Sequence, residues 1–209
     1  MAQLGLQYVD IYLVHGPIHP QSIANVAKVM AKCVEEGLAR AVGVANYQPD
    51  DLQKVRDALV EHSVPLATNQ CEFSIQRRYP ELHNGIAACE RNGIVFQGYS
   101  TLGQGRLSDK YSIVNPPPPT RRFSNYPMKD IENTLQVLRR IGRDRGRNVA
   151  SVAINYSIRK GALPVVGIRN PAQAQDMIDA LGWRLTDTEM VELDRVSIEG
   201  KRTALWQQG

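Results

Sequence analysis

The sequence predicts an α/β protein of consecutive βα units around a parallel sheet. Two observations carry that expectation. Apolar runs of strand length at 8–17, 40–47, 66–73, 93–100 and 163–168 alternate with segments whose apolar residues recur at helical spacing. Each run also gives way at once to polar or glycine residues, which is where a parallel barrel gathers its chemistry. No G-x-G-x-x-G turn follows the first run, so a doubly wound dinucleotide fold is disfavoured. A barrel arrangement is preferred, although about five strands do not close one of eight.

The elements follow in order. Residues 8–17 read as a buried strand ending in His15. Ser22 caps a helix that Gly37 ends, with Ile23, Val26, Ala27, Met30 and Val34 on its apolar face. After strand 40–47, Pro49 opens a helix with Leu52, Val55, Leu59 and Val60 on one side. Strand 66–73, a single helix 80–92 and strand 93–100 come next. Residues 101–128 form a long irregular segment with prolines at 116–119 and the pair Arg121-Arg122. Such loops often bind or cover ligands, and a plain surface insertion explains this one equally. Helices 129–145 and 150–159, strand 163–168 and helix 171–181 complete the alternation. Thr186 and Glu189 form a capping box before a last helix, and the tail runs to Gly209.

Composition sets the outer limits. The 209 residues are 43% hydrophobic and 22% charged, ordinary for a globular chain, and one domain over 1–209 is expected. A net charge of +4 suits a phosphorylated ligand and is too small to argue for nucleic acid; scattered surface cations explain it as well. Cys33, Cys71 and Cys89 are odd in number and lack a C-x-x-C pair, which fits a reducing compartment and neither a disulfide framework nor a zinc site. Neither a signal peptide nor a membrane span is read, so the cytoplasm is the default.

Several strand ends carry residues fit for chemistry. A neutral imidazole at His15 could donate a hydrogen bond to a substrate carbonyl. The position also suits a histidine satisfied by backbone. His19, His62 and His83 read as loop or helix-surface residues with no metal-ligand spacing. Asn46 and Gln70 end adjacent strands, and two amides there could hold a carboxamide or simply cap the strands. Tyr99 offers a flat ring for stacking, or a core tyrosine. Gly103-Gln104-Gly105 with Lys110 is similar to a loop that meets a diphosphate. Gly167-Ile168-Arg169-Asn170-Pro171 sets an arginine at a helix start, which suits a phosphate or a plain capped turn. The arginines at 139, 140, 143, 145 and 147 could be a nucleic-acid patch, but more often mark the solvated end of a helix.

Taken in order, five runs resemble the aldo-keto reductase family: residues 4–10 with His15, 42–47, 69–73, 99–103 and 167–171. The endings 180–186 and 205–209 resemble fungal members. The resemblance implies an NADP-dependent oxidoreductase on a (β/α)8 TIM barrel, passing hydride between NADPH and an aldehyde or ketone. It gives His15 the role of orienting the carbonyl. Asn46 and Gln70 become carboxamide binders, and Tyr99 the ring stacked on nicotinamide. Ser100, Thr101, Leu102, Gly103, Gln104, Gly105 and Lys110 would line the pyrophosphate. Gly167 and Arg169 would meet the adenosine 2′-phosphate, with Gln173 and Asp176 near the adenine.

The sequence departs from the family at some positions. Ala45 stands where many members have serine, Thr101 replaces a common proline, and Asp176-Met177 replaces a common Glu-Asn pair. The resemblance also implies a partial barrel, strands four to eight, with roughly three βα units, ~90 residues at ~30 each, absent from the front. The family's aspartate, tyrosine and lysine would lie there, and no tyrosine here is assigned as proton donor. Tyr8 and Tyr12 read as packing residues. A truncated, weakly active or inactive reductase is therefore expected. The alternatives are a nonenzymatic NADP-binding short isoform and a chain that misfolds. The expected partner is a small carbonyl substrate, without nucleic acid or membrane, and open sheet edges could self-associate.

Overall fold

The computed structural model describes residues 2–118 and 126–200. Arg121, Arg122 and the tail at 205–209 lie outside the described residues. A short 3-10 turn, Ala2–Leu4, leads into β1 (Val9–Val14), α1 (Ile23–Glu35), β2 (Ala39–Ala45), α2 (Pro49–Val60) and β3 (Leu66–Glu72). Then come α3 (Tyr79–Leu82), α4 (Gly85–Arg91), β4 (Val95–Tyr99), α5 (Glu132–Arg145), α6 (Val149–Arg159), β5 (Leu163–Val165), α7 (Pro171–Ile178) and α8 (Asp187–Arg195). The five strands form one sheet in the order β1-β2-β3-β4-β5, and β1 with β2 and β2 with β3 pair in parallel. This is the expected α/β fold, with a sheet order that follows the chain as consecutive βα units require.

The chain divides into two compact units, Met1–Cys71 with Asn84–Gln97, and Glu72–His83 with Gly98–Gly209. In unit 1, Ala27, Met30 and Ala31 of α1 and Leu52, Val55 and Leu59 of α2 are buried, as are Val42 and Val44 of β2. In unit 2 the core gathers Ile75, Leu107, Ile131, Leu135, Leu138 and Ile141 with Val152, Tyr156, Leu185 and Leu193. No helix among the described residues is long and apolar enough to cross a membrane.

Local signals explain the helix boundaries. The Ser22 side chain accepts from the Asn25 amide, and Gly37 follows α1 at φ +70°. Asn170 caps α7 by accepting from Gln173 N, with Pro171 behind it. The capping box forms between Thr186 and Glu189.

Three expectations need correction. Residues 80–92 are not one helix: Asn84 takes the left-handed conformation at φ 62° and separates α3 from α4. Strands 8–17 and 163–168 are not buried. They are the end strands of the order, with Ile11 and Leu163 about half exposed, at 47% and 54%. Pro164 also shortens β5, since proline cannot donate to a ladder and belongs at an edge. Tyr8 and Tyr12 are therefore not packing residues. Tyr8 lies under the Arg40 guanidinium, 4.4 Å from ring centre to carbon, and its hydroxyl accepts from Arg40 at 2.7 Å.

Gly43 is where β2 is most tightly constrained. A Cβ there would lie 2.5 Å from both Leu13 Cδ2 and Thr68 Cγ2, and 2.9 Å from the Thr68 carbonyl. The β2–β3 register also shifts between Val42 and Gly43. Gly43→Ala should destabilise the chain by about 1–3 kcal/mol through overpacking, read as a lower urea midpoint; an unchanged midpoint would contradict this packing.

Candidate functional site

In unit 1 the strand ends bring polar side chains together at backbone level. His15 follows β1, Asn46 follows β2, and Asn69 and Gln70 lie near the end of β3. Asn46 sits in the left-handed region at φ 63°, where asparagine is tolerated better than most residues. Its Nδ2 donates to the His15 carbonyl at 3.3 Å, and its backbone amide donates to the Gln70 carbonyl at 2.9 Å. Gln70 Nε2 donates to Gln97 Oε1 at 2.8 Å. Asn69 Nδ2 donates to the Tyr47 carbonyl at 3.0 Å, and Asn69 Oδ1 accepts from Tyr47 N. The sequence reading missed Asn69, although it stands beside Gln70.

His19 lies in the loop after β1, as expected for a loop histidine. It is half-buried, with Nε2 at 3.4 Å from the Tyr47 hydroxyl. Its Nδ1 is sealed from solvent and lacks a hydrogen-bond partner among the described residues. Tyr47 is buried, and that burial and then the Asp51 charge raise its pKa, making it a poor proton donor.

Unit 2 contains a cavity of about 500 Å³. One wall is the loop after β4, with Ser100, Thr101, Leu102, Gln104 and Gly105, continued by Ser108 and Lys110. The lining also includes Val165, Val166, Gly167 and Arg169, with Gln173, Asp176 and Met177 of α7. Ala150, on the first turn of α6, closes one end. Ser108, Ala150, Val165 and Val166 were not singled out as site residues in the sequence, because a small or apolar residue becomes part of a cavity wall only once the chain has folded.

The loop holds its own shape. Ser100 and Gln104 are in the left-handed region at φ 56° and 54°. The amides of Gly103 and Gly105 donate to the Ser100 and Leu102 carbonyls at 2.7 and 2.9 Å. Those two amides are therefore engaged within the loop. Gly103 is buried outside the cavity lining, and a Cβ there would meet Gln76 Oε1 at 2.3 Å. Thr101 Oγ1 donates to the Gly98 carbonyl at 2.9 Å, and the Tyr99 carbonyl accepts from Phe73 N at 3.1 Å.

Two cations line this cavity. The guanidinium of Arg169 is exposed and meets no carboxylate among the described residues; its backbone amide donates to Gln173 Oε1 at 2.8 Å. Lys110 is exposed, and its ammonium lies 5.3 Å from the Tyr111 ring centre, also with no carboxylate partner among the described residues. Arg139, by comparison, is held by Asp109 and Glu132, and Arg145 by Glu189. No cluster of metal-binding side chains occurs among the described residues.

A tyrosine, a lysine and an aspartate do meet in unit 2, but as a structural hub. The Tyr156 hydroxyl donates to Asp194 at 2.6 Å, and Lys160 Nζ bridges Asp194 and Glu81 at 2.8 and 2.6 Å. Arg78 binds Glu81 through two nitrogens. Burial, and then the bond to Asp194, hold the Tyr156 pKa well above the tyrosine range, so this phenol stays protonated. Burial pushes the Glu81 carboxyl up, but hydrogen bonds from Arg78 and Lys160 and their charges outweigh it and hold the carboxyl below its ordinary value.

A family model described as aldo/keto reductase matches residues 1–198. The chain belongs to the aldo/keto reductase family. It is 35% identical over 177 residues to the chloroplastic pyridoxal reductase of Arabidopsis thaliana, covering 84% of this chain and 48% of that protein. It is 23% identical over 219 residues to L-glyceraldehyde 3-phosphate reductase of Escherichia coli K12, covering 99% of this chain and 63% of that one. Its structure is similar to that of a glycerol dehydrogenase from Gluconobacter oxydans, with a TM-score of 0.83 and 25% identity over 93% of this chain and 60% of that chain. The chain thus spans about half to three-fifths of the length of these relatives.

A depressed folded-state carboxyl stabilises above its unfolded pKa and loses that contribution as pH falls through the folded value. Stability should therefore drop as pH falls below the ordinary glutamate value of 4.5. Glu81→Gln should flatten that drop in thermal melts between pH 3 and 6, roughly the carboxylate range; an unaltered slope would show that other carboxylates carry it.

Proposed function

We propose that this chain binds NADP(H) in the cavity of unit 2. On this reading it derives from an oxidoreductase that transfers hydride between NADP(H) and an aldehyde or ketone. The observation that carries the reading is the pair of cations without carboxylate partners among the described residues, Arg169 and Lys110, both lining a cavity large enough for a nucleotide-sized group. Arg169 is assigned the 2′-phosphate, because a guanidinium can grip a phosphate through two parallel bonds. Lys110 and the loop at 100–105 are assigned the pyrophosphate, and Gln173 and Asp176 the adenine. Within unit 1, Asn46 and Gln70 are read as amides able to hold a carboxamide, and within unit 2 Tyr99 as a ring able to stack on a flat heterocycle. The bound cofactor supplies or accepts the hydride. His15 would donate a hydrogen bond to the substrate oxygen and so favour charge developing there.

We assign this 209-residue chain weak or no turnover. No tyrosine of the chain is assigned as the proton donor. Proton transfer by a positioned acid contributes about 10²–10⁴-fold in rate. A second reading, NADP(H) binding without catalysis, is favoured by a cavity lined wholly by residues of unit 2.

Binding titrations test the cofactor assignment. Arg169→Ala should weaken NADPH by about tenfold or more, as loss of a charge-assisted contact implies, while NADH changes little. Equal weakening of both would remove the 2′-phosphate assignment. NADPH oxidation by the unmodified chain should show little or no dependence on added aldehyde. Clear turnover that disappears in His15→Ala would overturn the assignment of weak activity and support the role of His15.

A further inference from the structure

Asn148 does more than cap α6. Its Oδ1 accepts from Ser151 N at 2.7 Å, which is the capping bond itself. Its Nδ2 points the other way and donates to Asp176 Oδ1 at 2.8 Å. Ser151, fully buried, places its hydroxyl 2.8 Å from the Asp176 carbonyl and 2.9 Å from Asn148 Oδ1, with one proton to share between these acceptors. Asp176 belongs to α7 and Ala150 to α6, and both wall the cavity. Asparagine, aspartate and serine cap helices about equally well. The amide donor is therefore surplus to capping, and its one partner among the described residues is a cavity carboxylate on another helix.

The geometry points to Asn148 and Ser151 as positioning residues that fix Asp176, and with it the α7 wall, against the start of α6, thereby setting affinity for the adenosine half of the nucleotide. Ser151 is not part of the cavity lining, so it acts only through its neighbours. The inference rests on the cavity being the nucleotide site. Two groups locked in their bound geometry lose less freedom on binding than two free to drift, which is why such a link raises affinity. Exchanging the partners provides a direct probe. Asn148→Asp keeps the cap but removes the donor and sets one carboxylate against another. Adding Asp176→Asn restores a donor and an acceptor with their direction reversed.

The experiment is a calorimetric titration of 2′,5′-ADP into the full chain and into N148D, D176N and N148D/D176N. Circular dichroism checks that each variant folds. N148D should bind about tenfold more weakly, the scale of one hydrogen bond to a charged group. The double variant should lose less affinity than the product of the two single losses, because the two substitutions share one interaction and are not additive. Should N148D fail to fold, Asn148→Ser caps the helix without an amide donor and carries the same expectation. Unchanged affinity in the Asn148 variants would mean a role confined to capping and would overturn the inference. So would losses in N148D and D176N that simply multiply in the double variant. If the unmodified chain does not bind 2′,5′-ADP, the cavity reading itself fails, and the positioning role falls with it.

Discussion

Unit 2 depends on the burial of α6. Every residue from Val149 to Ser157 is buried, yet the helix carries Ser151, Asn155, Tyr156 and Ser157 among its apolar side chains. A buried polar group without a partner costs about 1–3 kcal/mol, so each of these has to find one. Asn155 holds the Ala180 and Trp183 carbonyls and the Leu185 amide, fixing the chain between α7 and α8. Ser151 reaches the Asp176 backbone on α7, and Tyr156 reaches Asp194 on α8. The need to satisfy one helix thereby dictates where its neighbours sit, including the α7 wall of the cavity.

Charge is distributed unevenly in the same unit. Lys160, Arg78, Glu81 and Asp194 form a closed network beside Tyr156, each at least partly withdrawn from water. Glu72 and Arg77 pair at 3.3 Å with almost no exposure. Charges in such places stay only when matched, because desolvation is expensive and the partner offsets it. At the cavity, Arg169 and Lys110 are exposed and unmatched by carboxylates among the described residues. An exposed unmatched cation costs little, and it leaves its charge available to a ligand anion.

Much of this organisation is legible in the sequence, for reasons particular residues make plain. Caps and prolines act locally, so Ser22, Pro49, Asn170 and Thr186 mark helix starts that the structure reproduces. The residues at 100–105, Lys110 and the segment 167–176 stood out by type and by position after strands, and most of them line one cavity. Burial is less legible. An apolar run such as Val9–Val14 has the same composition at a sheet edge as at its centre, and only the strand order separates the two. The break at Asn84 is similar, since a single left-handed residue interrupts an otherwise helical pattern.

The sequence by itself determined the alternation of strands and helices, most of the helix starts and the residues that stand at strand ends. These follow from side-chain periodicity and from hydrogen bonds within a few positions. Only the tertiary structure decided that the Gly103 and Gly105 amides are consumed within their own loop. It alone decided that Tyr156, Lys160 and Asp194 make a buried structural hub, and that Asn148 ties α6 to α7. Such facts depend on which distant residues meet, and on how much water remains around them when they do. Neither is written in the spacing of residues along the chain.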